Sequence, residues 1–158
     1  MKYLSSRFDE YIAECEKKNI HSNMKPIFST LQNNINKLSH LIFYGPPGIG
    51  KYTQSLMFIK KFSQSNLKYE RKININFNPK KSFIFKLSDI HFEIDMELLG
   101  CNAKILFNDL YYHIIDIISL KTERKGIIVC KNFHKIHSEL LDIFFSYMQN
   151  LIHKKIEV

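Results

Sequence analysis

The sequence predicts an α/β fold in three layers: a parallel sheet between helices, with an inserted β-hairpin and helices at the N-terminal end. Three observations carry this reading. Two short, uniformly apolar runs, Leu41-Ile42-Phe43-Tyr44 and Gly126-Ile127-Ile128-Val129-Cys130, have the pattern of strands buried on both faces. Each is followed by a stretch with helical spacing, the order of a sheet whose strands are joined by helices. Between them, Lys72-Ile73-Asn74-Ile75-Asn76-Phe77 alternates strictly and is joined through Asn78-Pro79-Lys80-Lys81 to Phe83-Ile84-Phe85-Lys86-Leu87, the pattern of a hairpin with one solvated face.

The remaining elements follow in order. Phe8, Tyr11, Ile12 and Cys15 fall on one face of a helix over 7–18, with acids early and lysines late to suit its dipole. Asn23 can cap a second helix that carries Ile27, Leu31, Ile35 and Leu38 on one stripe. Helical spacing resumes from Lys51 to about Phe62, with Leu56, Ile59 and Phe62 aligned. His91-Phe92-Glu93-Ile94 reads as a further strand and Leu98-Leu99-Gly100 as a turn. Ile105, Leu106, Leu110, Ile114, Ile117 and Ile118 recur helically between Lys104 and Leu120. A final helix from His137 to Ile152 places Leu140, Leu141, Phe144, Phe145, Met148 and Leu151 inward.

The bulk composition bounds what such a chain does. At 158 residues it is long enough for one domain with a core, and 45% apolar with 24% charged residues is ordinary for a globular protein. No apolar run approaches the roughly 18 residues that span a bilayer. The N-terminal residues lack the apolar stretch of a signal peptide, so an intracellular protein, cytoplasmic or nuclear, is expected. Cys15, Cys101 and Cys130 are too widely spaced for a disulfide framework or metal-ligand spacing. A net charge of +8 favours polyanions such as DNA. Lys, Ile and Asn also share A/T-rich codons, so charge leaves DNA contact open.

The chemistry sits in one loop. Gly45-Pro46-Pro47-Gly48-Ile49-Gly50-Lys51 lies between a predicted strand and a predicted helix. Such a glycine-rich loop lets backbone N–H groups close around phosphate oxygens, the helix N-terminus adds positive potential, and the lysine reaches the β- and γ-phosphates. ATP is the expected ligand of residues 45–53. The position after the lysine is normally Ser or Thr, whose hydroxyl ligates Mg²⁺. Here it is Tyr52, whose hydroxyl stands too far from its backbone; Thr53, roughly 100° further round the helix, is the one weak metal candidate. The apolar strand that normally ends in catalytic acids is followed here by Lys131 and Asn132. Lys131 puts a positive charge where the metal would sit, opposing Mg²⁺ or neutralising phosphate directly. Asn132 can orient a water but cannot accept its proton, which makes it a weak catalytic candidate. Efficient hydrolysis by this chain alone is not expected.

The run His40-Leu41-Ile42-Phe43-Tyr44-Gly45-Pro46-Pro47-Gly48-Ile49-Gly50-Lys51 resembles the AAA+ ATPase subunits of clamp loaders, the replication factor C small-subunit family. The degenerate Lys51-Tyr52-Thr53 fits some members, and the likeness continues through the hairpin and Ile90-His91-Phe92-Glu93-Ile94-Asp95 to the block from Gly126 to Ile136. The resemblance implies a P-loop NTPase core over 40–158, stopping before the sensor strand and lid, with residues 1–39 as a helical segment packed on it. It implies partners as well: other clamp-loader-like subunits in a ring, a sliding clamp, and primed DNA in replication. The composition would suit such a protein from a large DNA virus. With no later strand, the sheet would be incomplete and its edge open.

Two other readings compete. Gly50-Lys51-Tyr52-Thr53-Gln54 also looks like the start of an adenylate-kinase helix, but such kinases use several arginines on phosphate chains, and this chain has only Arg7, Arg71 and Arg124. The stronger rival is a nucleotide-silent AAA+ relic serving as a protein-interaction scaffold. His134 and His137 lack a third ligand for a metal. Asp95 with Glu97, and the lysines Lys60, Lys61, Lys80 and Lys81, read as solvated surface charges.

Overall fold

The computed structural model describes residues 7–17, 19–78 and 81–153. The chain is α/β, with a mixed four-stranded sheet in the order β1 (Arg71–Asn78), β2 (Lys81–Leu87), β3 (His91–Asp95), β4 (Ile127–Lys131). This is consistent with an incomplete P-loop NTPase-like fold. The sheet is mixed, as a parallel sheet with an inserted hairpin would be, and the connections explain why. β1 to β2 and β2 to β3 are joined too tightly for a crossover, so these pairs are antiparallel. Residues 96–126 connect β3 to β4 through helices, as a parallel pair requires.

The residues form two compact units. One comprises the described residues up to Arg71 together with Leu87–His91, the other Lys72–Lys86 and the described residues from Phe92 onward.

In the first unit, α1 (Phe8–Glu16) starts with the Glu10 carboxylate accepting the Arg7 N–H at 3.2 Å, and it buries Phe8 and Ile12. It packs on α3 (Lys51–Lys60), whose Leu56, Phe58 and Ile59 are buried. The turn after α3 is tied down by Asp89, whose carboxylate accepts from the Ser63 hydroxyl (2.8 Å) and the Ser65 N–H (3.2 Å). Between these helices the sequence pattern misleads twice. The stripe from Ile27 to Leu38 is not one helix: α2 (Met24–Thr30) ends as Leu31 turns extended, and Ile35–Lys37 is a separate 3₁₀ turn. Asn34 is the physical reason, because its side chain accepts the Asn36 N–H at 3.0 Å and starts a new turn instead of continuing the old one.

The second departure is larger. Residues 41–44 form no strand, and Ile42 and Tyr44 are 91% and 95% exposed. Of this run Phe43 alone is sheltered, its ring 6.2 Å from that of Phe28. A run apolar on every side is buried only where strands flank it, and the strands of the described sheet all begin at Arg71 or later.

In the second unit Phe83, Phe85, Phe92 and Ile94 of the sheet are buried, as is Glu93. Where a turn was expected, α4 (Met96–Leu99) makes a single helical turn capped by Asp95, whose Oδ1 accepts the Glu97 N–H at 3.1 Å. α5 (Ala103–Ser119) buries Phe107, Leu110, Tyr111 and Ile114 on one face. It packs against α6 (Ser138–His153) through rings: Phe107 lies 5.4 Å from Phe144 and Tyr111 4.9 Å from Tyr147. Of the α6 residues expected inward, Leu140 is buried, whereas Leu141 and Phe145 are 49% and 65% exposed. β4 is apolar yet only half-buried throughout, and it ends the described sheet. Among the described residues no helix is long and apolar enough to cross a membrane.

Candidate nucleotide site

The loop before α3 has the backbone that phosphate binding requires. Gly48 and Gly50 take φ of +81° and +85°, values that a side chain would strain. Alternating left-handed residues turn successive N–H groups toward one hollow, the geometry of an anion-binding nest. Gly50 is also the residue that caps α3, and the first α-helical bond runs from Gln54 N–H to its carbonyl at 3.0 Å. The N–H groups of Lys51, Tyr52 and Thr53 therefore open the helix without intrahelical acceptors. Lys51 folds back over the loop: its ammonium donates to the carbonyls of Gly45 (2.8 Å) and Pro46 (2.6 Å). Gly45 and Pro46 thus lie under the Lys51 ammonium, and Pro47, Gly48, Ile49 and Gly50 run on into the head of α3; Gly45, Ile49, Gly50 and Lys51 are half-buried and the rest exposed.

Its chemistry fits phosphate better than metal. The Thr53 hydroxyl is engaged by the Tyr11 hydroxyl at 2.8 Å and lies 3.9 Å from the Cys15 sulfur. The Tyr52 ring stacks obliquely on Tyr11, with centroids 5.5 Å apart. The Thr53 oxygen is already hydrogen-bonded, and among the described residues no group of three His, Cys, Asp or Glu is placed to hold a cation.

Sequence reasoning missed the way the N-terminal segment grips this loop. The His21 Nε2 lies 2.6 Å from the Ile49 carbonyl. The Asn19 Oδ1 accepts both the His21 N–H (2.9 Å) and the Gln54 side-chain amide (3.1 Å). No spacing rule signals these contacts, because the partners stand 28 and 35 residues apart.

At the end of β4, in the other unit, Lys131 and Asn132 are also engaged. The Lys131 ammonium meets Glu93 on β3 at 3.4 Å, and the Glu93 side chain is only 2% exposed. The Asn132 side-chain amide donates to both oxygens of Asp95, at 3.0 and 3.1 Å. Lys135 pairs with Glu97 at 2.8 Å, and that hydrogen bond, with the charge of Lys135, holds the Glu97 carboxyl below its ordinary pKa. The acids absent from the end of β4 have counterparts on β3 and α4, directly across from the residues that replace them. Lys131 therefore carries a charge already answered by Glu93, and Asp95 and Glu97 take part in a ladder of polar pairs. Of the surface lysines, Lys60 pairs with Glu16 at 3.2 Å and Lys61 donates to the Phe28 carbonyl at 2.9 Å. Lys80 lies outside the described residues.

No family model matches the chain. Part of it is similar to RuvB, described as a Holliday junction branch migration complex subunit, in two bacteria. In Campylobacter fetus the identity is 41% over 46 residues, 29% of this chain and 12% of the relative. In Nitratiruptor it is 36% over 63 residues, 40% of this chain and 18% of the relative. RuvB is an AAA+ ATPase, and over these stretches the likeness is to that family. The chain spans less than a fifth of the length of either relative.

Proposed function

We propose that this chain holds ATP in the loop from Gly45 to Lys51, with residues 52–53 completing the site, and hydrolyses it weakly or not at all. The observation that carries the reading is the loop itself, where left-handed glycines, a helix N-terminus and the folded-back Lys51 ammonium adjoin one another. The partial likeness to an AAA+ ATPase supports nucleotide binding independently of that geometry. Slow hydrolysis is read from the sequence: the apolar strand that in such ATPases ends in acids is followed here by Lys131 and Asn132, and within their own unit these are engaged by Glu93 and Asp95.

Within that reading we assign the chain to clamp-loader-like AAA+ subunits acting in DNA replication, on the strength of the motif from His40 to Lys51. Its partners would be further such subunits, a sliding clamp and DNA, the last drawn by the net charge of +8. A second reading, a nucleotide-silent scaffold, is favoured by the engagement of Thr53 and by the exposed apolar run before the loop.

Equilibrium titration with ATP separates the two. The wild-type chain should bind, and Lys51→Ala should weaken binding at least about tenfold, the equivalent of roughly 1.4 kcal/mol. No binding in either protein would support the scaffold, and equal affinity in the two would show that Lys51 does not hold the nucleotide.

A further inference from the structure

We infer that His21 is a positioning residue for the phosphate loop, a clamp that sets the direction of the Gly50 N–H. The inference rests on the nucleotide-holding reading and adds a residue that no phosphate-loop motif contains. A carbonyl oxygen can only accept, so the 2.6 Å contact between the His21 Nε2 and the Ile49 carbonyl requires the proton on Nε2. The Ile49 carbonyl and the Gly50 N–H belong to one planar trans peptide and point in opposite directions. Fixing the carbonyl against His21 therefore turns the Gly50 N–H to the other side of the loop. With Gly50 held at φ +85°, the N–H groups that follow run on into the head of α3.

The clamp is itself braced. The His21 N–H is held by the Asn19 Oδ1, which also takes the Gln54 side-chain amide, and the Asn19 amide lies 3.9 Å from the Met57 sulfur. Gln54 and Met57 belong to α3, and Gln54 is 6% exposed. Asn19 thus ties His21 to the same helix whose N-terminus the loop feeds. A loop of glycines has many backbone states to lose on binding, and one external hydrogen bond at its centre reduces that loss.

The test is a titration of ATP against wild type, His21→Ala and His21→Gln, with thermal melts confirming that each is folded. Glutamine keeps an N–H that reaches the same carbonyl. His21→Ala should bind about five- to tenfold more weakly, the scale of one well-placed hydrogen bond, and His21→Gln should recover most of the loss. Equal affinity in all three, or loss without recovery by glutamine, overturns the clamp. ¹⁵N spectra of the nucleotide-free proteins judge it separately. The wild-type His21 ring should show a protonated Nε2 in slow exchange, and His21→Ala should shift the Gly50 amide. If wild type binds no ATP but these signals appear, the nucleotide reading fails and the clamp stands as a loop brace. A ring protonated only on Nδ1, or an unmoved Gly50 amide, overturns the clamp whatever ATP does.

Discussion

Lys131 is the residue at which composition and contact give different accounts. As a lysine after an apolar strand it looks like a free positive charge, whereas its 3.4 Å contact with a 2% exposed Glu93 makes it the counter-ion of a buried acid. Removing one member of such a pair leaves the other charge in a poor solvent. Lys131 is itself 34% exposed, so water moderates the cost. Lys131→Ala should lower stability by about 1–3 kcal/mol in chemical denaturation. Placing acids at the end of β4, as Lys131→Asp with Asn132→Glu, should cost more and confer no ATP turnover, because the new acids would face Glu93 and Asp95. A double variant with ordinary stability and clear turnover would show that these pairs do not govern the site.

Among the elements, residues 41–44 and α3 test how the first unit is held together. Leu56 on α3 is fully buried, so Leu56→Ala should cost about 2–5 kcal/mol. Ile42→Asn and Tyr44→Asn change side chains that are almost wholly exposed and should each alter stability by less than about 0.5 kcal/mol. Equilibrium unfolding of the three variants compares them directly. A loss near 2 kcal/mol for Ile42→Asn would mean that this run is a buried strand after all. These elements also show what a sequence can and cannot disclose. The hairpin, α3, α5 and α6 were legible because their periodicity is local, and the loop from Gly45 to Lys51 because its glycine spacing has one backbone purpose. Residues 41–44 misled because an apolar run tells that it wants burial but not what buries it. Glu93 opposite Lys131, and His21 beside Ile49, were illegible because cross-strand register and contacts across 28 residues leave no mark on spacing.

At the scale of the whole molecule, the proposed function assigns nucleotide binding and the loss of hydrolysis to different residues. One unit carries the loop, with the Lys51 ammonium folded onto it and N-terminal residues bracing it; the other carries the polar pairs Lys131–Glu93, Asn132–Asp95 and Lys135–Glu97. β4 is the last strand of the described sheet, and Leu141 and Phe145 of α6 are exposed; in the proposed reading this apolar surface would meet other subunits. The most direct measurement is the identity of the nucleotide that the protein retains. Wild type and Lys51→Ala are incubated with radiolabelled ATP and Mg²⁺, freed of unbound nucleotide, and the bound label is resolved by chromatography. The account predicts that wild type retains label almost wholly as ATP and that Lys51→Ala retains little. Label recovered as ADP with release of phosphate, or no label on wild type, would contradict it.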